Sequence, residues 1–234
     1  MLVSVVIGAL NEEKYIGTTL ETIHRQKTKH KIELIVGDGY SKDKTAKIAK
    51  SYGARVVLEE RHSAAWERQA ACKVANGEII VITDADAKVP QDWVEKAAAE
   101  FAKDKNLVMA YGPVYFYDAS GFENDLSKIV MGFFISLSAA LGMHNPIGSN
   151  LAVRRKAFEK VRGFNTKLIT AEDLDLAKRI SKLGGLKYCP DMFVEVSARR
   201  VKKWGYLKFA IFHIINAMKY HFTGKAQTKY EPVR

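Results

Sequence analysis

Cysteine is scarce: Cys72 and Cys189 are the only two in 234 residues, with neither paired spacing nor a metal-ligand pattern. That excludes a disulfide framework and predicts a reducing compartment. The six histidines form no metal constellation, and His144, in a loop with Pro146 and Gly148, could be a distal ligand but reads more readily as an ordinary loop residue. No apolar run is long enough to span a bilayer. The longest, Ile129 to Met143, is interrupted by Gly132, Ser136, Ser138 and Gly142. The N-terminus starts directly on a strand-like run, so no signal peptide is predicted. The first apolar run leads into Gly8-Ala9-Leu10-Asn11, so the dinucleotide fingerprint G-x-G-x-x-G is missing, as is a Walker P-loop. A nucleotide must be held by other means.

What is present is ordinary in amount and unusual in distribution. Apolar residues make up 47% and charged residues 27%, enough to bury a real core. The net charge is +11, yet Met1 to Asp118 holds 17 basic and 17 acidic side chains. The rest holds 20 basic against 9 acidic, densest after Ala198. Such asymmetry points to an anionic partner: nucleic acid, a phosphate-bearing substrate or an acidic lipid surface.

Strand and helix patterns alternate through the first half. Strands are predicted at Leu2–Ile7, Ile32–Val36, Arg55–Leu58 and Ile79–Thr83. Between them lie helices from Ile16, over Thr45–Tyr52 ended by Gly53, and over Ala64–Asn76 closed by Gly77. Pro90 opens a further helix from Gln91 to about Lys103. This predicts an α/β fold, a mostly parallel central sheet with helices on both faces. Later segments read as a strand pair or one bent strand at Leu107–Tyr117 and an all-round apolar helix at Leu126–Leu141. A strand at Ser149–Val153, a helix at Arg155–Val161 and a helix beginning near Ala171 follow.

Carboxylates gather where such a sheet presents ligands, beyond the carboxyl ends of its strands. Asp84 and Asp86 end the fourth strand and suit a divalent cation that completes its shell with water and a diphosphate. Equally, Asp84 could cap the next helix while Asp86 faces solvent. Asp38 ends the second strand and could accept the imide N–H of a base, or simply make an Asx turn. Asn11 and Glu12 sit at the first turn. Arg68 could reach base or diphosphate, or sit on a solvated helix face. Glu172, Asp173 and Asp175 crowd one helix start, more acid than dipole compensation requires.

Together these segments resemble a family 2 glycosyltransferase of GT-A fold, over roughly Leu2 to Arg200. The resemblance rests on Val5–Glu12, on Val36–Thr45, on Thr83-Asp84-Ala85-Asp86, on Gly148–Arg155 through Gly163-Phe164-Asn165, and on Glu172-Asp173-Leu174-Asp175. The family is usually richer in glycine where Tyr40 and Lys44 stand. It implies a catalytic base at Asp173 and a base-recognising Asp38. Ala9, Asn11, Glu12, Arg68 and Asp84 would hold the nucleotide. Asp84 and Asp86 would bind Mn²⁺ or Mg²⁺. Glu172, Arg199 and Arg200 are candidates for the acceptor or its phosphates. The implied division is 1–200 as the GT-A catalytic domain, with 1–118 nucleotide-binding and 119–200 acceptor-binding, and 201–234 as a basic amphipathic C-terminal segment.

The expected reaction is inverting, metal-dependent transfer from a UDP-sugar, or a GDP-sugar, to an acceptor hydroxyl of a glycan or lipid-linked carrier. Single displacement opposite the leaving diphosphate inverts the anomeric centre. Basic residues interleaved with aromatics from Arg199 onward read as an interfacial membrane element, placing the protein in the cytoplasm or at the inner face of the cell membrane. A polyprenyl-phosphate sugar synthase is the alternative. A basic nucleic-acid-binding protein is a third reading, but no nucleic-acid motif supports it.

Overall fold

The computed structural model describes residues 1–119 and 121–228, so residues 229–234 of the expected basic segment lie outside the described residues. Strand β1 (Leu2–Ala9) leads into α1 (Ile16–His24), β2 (Lys31–Asp38), α2 (Thr45–Ser51), β3 (Arg55–Leu58), α3 (Ala64–Lys73) and β4 (Ile79–Asp84). The chain continues through β5 (Ala87–Lys88), α4 (Trp93–Lys103), β6 (Leu107–Tyr111), β7 (Val114–Phe116), α5 (Phe122–Ala140) and β8 (Leu151–Arg154). It ends with α6 (Arg155–Lys160), α7 (Glu172–Ile180), β9 (Gly185–Tyr188), β10 (Val194–Val196), α8 (Arg199–Trp204) and α9 (Tyr206–Thr223).

Seven strands form the main sheet in the order β3-β2-β1-β4-β8-β6-β9. All pairs are parallel except those of β8, which runs antiparallel to both β4 and β6. A small second sheet, β5-β10-β7, sits beside it. The Leu107–Tyr117 segment is therefore a strand pair, its members in different sheets.

The apolar runs follow from burial on both faces. Along β4, Ile79 and Val81 pack with Ile16, Leu20, Trp93 and Phe101. Ile80 and Ile82 point the other way, among Cys72, Ile135, Phe158 and Leu176. Each such fully buried aliphatic side chain contributes about 1.5–3 kcal/mol.

Gly53 ends α2 as expected, with φ +74°: its N–H bonds the Lys50 carbonyl at 2.9 Å and that of Ala54 bonds Ala49 at 3.1 Å. Gly77 has another job. Helix α3 stops at Lys73, and a Cβ at Gly77 would lie 2.5 Å from the Ser4 backbone nitrogen. Close approach to β1, not helix termination, requires glycine there. The amphipathic C-terminal segment carries α9, preceded by the short α8.

Candidate active site

The ends of β1 and β2 are stitched together by the turns that follow them. Asn11 adopts a left-handed conformation at φ +56°. It accepts the Lys42 N–H on its side chain and donates its own N–H to Ser41 Oγ, each at 2.8 Å. Asp38 is buried, its carboxylate taking the Ser41 hydroxyl and, at 3.2 Å, the Ser41 N–H. Ala9 is buried and its carbonyl accepts the Gly39 N–H at 2.9 Å. Tyr40 is left-handed too, at φ +58°, a backbone that glycine adopts without strain. A glycine at this position, as the resemblance suggests, would adopt that backbone freely.

Arg68 is the hub of the second cluster. It is 6% exposed, and its guanidinium binds Asp84 on one arm and Glu172, at 2.8 Å, on the other. Asp84 also takes the Ser149 hydroxyl. Burial raises the Asp84 pKa, but Arg68 and the Ser149 hydroxyl outweigh it and hold the carboxyl below its usual range. Gly148 lies against the guanidinium so closely that a Cβ would strike it.

The start of α7 completes this cluster. Ala171 holds a left-handed φ of +62° immediately before Glu172 and Asp173, strain of the kind that accumulates at working sites. Asp173 accepts the Gly148 N–H at 2.9 Å and the Leu174 N–H at 2.8 Å. Burial pushes Asp173 up, against Arg68 and these bonds. Burial and the adjoining Asp173 push Glu172 up as well. Segments far apart in sequence thus meet through Arg68, Gly148 and Ser149.

A third cluster flanks the β4 tip. Arg199, the first residue of α8, grips Glu12 with both arms at 2.8 and 2.6 Å, and reaches Asp86 at 3.1 Å. Its guanidinium also lies 4.8 Å from the Tyr15 ring centroid. Asp86 is 9% exposed. Burial and Asp84 nevertheless raise its pKa to about 7 in spite of Arg199, because that cation is shared with Glu12. Arg200 points elsewhere, over the Trp204 ring at 5.8 Å.

Asp84, Asp86, Glu12 and Glu172 are thus four carboxylates sharing two guanidiniums, those of Arg68 and Arg199. Among the described residues no three His, Cys, Asp or Glu side chains form a metal cage. A carboxylate pair without a full cage fits an Mg²⁺- or Mn²⁺-type ion that takes its other ligands from water and phosphate. Asp86 has the freer carboxylate, since Arg68 and Ser149 occupy both oxygens of Asp84.

Sequence reasoning did not assign roles to Gly148 and Ser149, although their segment was conspicuous. It also missed the tie between α9 and α7, in which Tyr220 donates to Asp175 at 2.8 Å. Asp175 is held from the other side by Arg179 at 2.6 Å. A tyrosine amid apolar helix residues gives no sign of such a partner.

Sheet order, crossovers and the acid-rich strand tips define a GT-A fold. The profile of glycosyl transferase family 2 matches residues 4–162, and the chain belongs to that family. Among solved structures it is similar to a mannosyltransferase from Pyrobaculum calidifontis captured with GDP-mannose and Mn²⁺. That likeness has TM-score 0.72 and 26% identity over 96% of this chain and 65% of the other. An uncharacterized glycosyltransferase of Methanocaldococcus jannaschii is 27% identical over 74% of this chain and 62% of its own length. A dolichyl-phosphate hexose transferase of Haloferax volcanii is 36% identical over 40% of each. The chain spans less than two thirds of the length of these curated relatives.

Proposed function

We propose that this chain transfers a sugar from a nucleoside diphosphate to an acceptor hydroxyl on a glycan or lipid-linked carrier, inverting the anomeric centre. The observation that carries the reading is the Arg68 bridge, which ties Asp84 at the β4 tip to Glu172 beside Asp173. Leaving-group and acceptor chemistry need such groups in one hollow.

Asp38 takes a ring N–H of the base, a donor that uracil and guanine both offer, so either donor class suits it. Asn11 and the Ala9 backbone shape that pocket. Asp86, with Asp84 beside it, would hold an Mg²⁺- or Mn²⁺-type ion, whose Lewis acidity would serve to neutralise charge on the departing diphosphate. Arg68 fixes Asp84 and Glu172 in place and partly offsets the burial that raises the Glu172 pKa. Arg199 lies beside Asp86, where it can turn from that carboxylate to phosphate oxygens. Asp173, raised in pKa and held by two backbone N–H groups, takes the acceptor proton as the new bond forms. Such a base is typically worth about 10²–10⁴-fold. The setting is the inner face of the cell membrane, reached peripherally.

The likeness to the dolichyl-phosphate enzyme favours one second reading, a polyprenyl-phosphate acceptor. Already an anion, it needs no base. Asp173→Asn separates the two. Transfer to a hydroxyl acceptor should fall by about 10²-fold or more, whereas undiminished turnover removes Asp173 from its role. A thermal-shift screen of UDP, GDP and CMP with Mn²⁺ identifies the donor base.

A further inference from the structure

We infer that α5 and α9 form a docking face for an anionic lipid leaflet. On α9, Leu207, Ile211, Ile215, Met218 and Phe222 recur at helical three- and four-residue spacing and are 47–75% exposed. Lys208 and Lys219, both exposed, border this stripe on the same side of the helix. The helix contains no acidic residue. On α5 and its C-cap residue, Ile129, Phe133, Leu137 and Leu141 form a second stripe, 48–69% exposed, and no charged residue interrupts the chain from Ile129 to Met143. The two helices adjoin one another. Single exposed apolar residues are normal, but two neighbouring stripes are not.

The occupant follows from charge and length. Among the described residues no helix is long and apolar enough to cross a membrane, so a leaflet would meet these stripes lying along its surface. An apolar band edged by lysines matches hydrocarbon bordered by anionic headgroups. The basic excess of the second half has the same sign.

The face also adjoins the acceptor side of the site. Helix α9 is anchored to α7 by Tyr220–Asp175 and to the segment just before α7 by the Thr170 hydroxyl, which bonds Asn216 at 3.4 Å. His221 meets Asn145 at 2.9 Å, in the loop that runs from α5 to Gly148 beside Asp173. A leaflet against α5 and α9 would present an apolar-anchored acceptor near Asp173. That last placement rests on the sugar-transfer reading; the docking face does not.

Co-sedimentation with vesicles of phosphatidylcholine alone, or with phosphatidylglycerol added, tests the surface. The full chain should pellet with the anionic vesicles and much less with neutral ones. Leu207→Glu/Phe222→Glu should lower the bound fraction at least about tenfold. Lys208→Glu/Lys219→Glu should weaken it too, whereas the same charge reversal on α2, Lys47→Glu/Lys50→Glu, should not. Circular dichroism and the nucleotide–Mn²⁺ thermal shift establish that each variant folds. No binding to anionic vesicles, or binding unchanged by Leu207→Glu/Phe222→Glu, overturns the inference. So does a wild-type dimer that those glutamates split, since a second copy then covers the face. Vesicle binding without sugar transfer would sink the transfer reading and leave the face standing; transfer by a chain that ignores vesicles would do the reverse.

Discussion

At Asp86, burial and the neighbouring Asp84 outweigh the pull of Arg199, whose guanidinium is already gripped by Glu12. The folded pKa, about 7, stands above the ordinary 3.8. Stability from this group is therefore full below about 3.8 and lost as pH rises through about 7. In metal-free buffer, Asp86→Asn should melt higher than wild type at pH 8, with the gap closed by pH 4. At about 1.4 kcal/mol per unit the gain is at most roughly 4 kcal/mol. An asparagine variant that is less stable at pH 8 in EDTA contradicts this. Gly148 sets a geometric limit instead. Arg68 cannot yield to a new Cβ without leaving Asp84 or Glu172. Gly148→Ala should cut turnover by on the order of 10²-fold, since misplacing a site by an ångström costs that much. Steady-state kinetics beside a melting curve separates this from unfolding. None of this geometry is legible in sequence: Arg68 there is one helical arginine, and its partners lie 16 and 104 residues away.

On α9, one histidine links stability to acid. His213 sits half-buried against Phe209 and Phe212, with ring centroids 4.4 and 5.3 Å away, and near the Arg200 charge. Burial and that cation lower its pKa from 6.5 to about 4. For a base depressed this way, the unfolded chain takes the proton first, so stability is full above about 6.5 and falls towards about 4. Between pH 7.5 and 4.5, α9 should lose roughly 1–2 kcal/mol of docking once the ring's partial exposure is allowed for. Hydrogen exchange of α9 amides should report it. His213→Phe should flatten the response, and an unaltered pH dependence in that variant would refute the assignment. Longer elements of this kind were readable because their periodicity is sustained: β1 to β4 and α1 to α7 lie close to where the apolar spacing puts them. Ala87–Lys88, Gly185–Tyr188 and Val194–Val196 were not, being too short to show alternation. They are strands because a partner lies alongside, Ala87 opposite Val196 and Val194 opposite Val114, and pairing of that kind has no local signal.

For the molecule as a whole, charge and motif divide the chain near Asp118, but the sheet does not divide there. Strand β8 enters between β4 and β6, pairing Ile80 with Val153 on one side and Met109 with Val153 on the other. Trp93, fully buried in the first half, donates its indole N–H to Asn150 at 3.0 Å. Arg154 closes the carbonyls of Phe101 and Leu107 at 2.8 and 2.7 Å. A chain ending at Asp118 would expose the wholly buried edge of β4, orphan the Trp93 N–H and leave Arg68 without Glu172. Each unsatisfied buried group costs about 1–3 kcal/mol, and a bare apolar strand edge invites aggregation. The 1–118 fragment should therefore show no cooperative urea transition. A chain ending at Gly205 loses α9 and the tail after it, whose buried contribution centres on Ala217 and Tyr220 against Ala171 and Leu174. It should unfold cooperatively at lower urea and still shift its melting point with nucleotide and Mn²⁺. If 1–118 folded alone and bound nucleotide, the nucleotide half would be a true domain, and the antiparallel strand between the halves would be a seam instead of a spine.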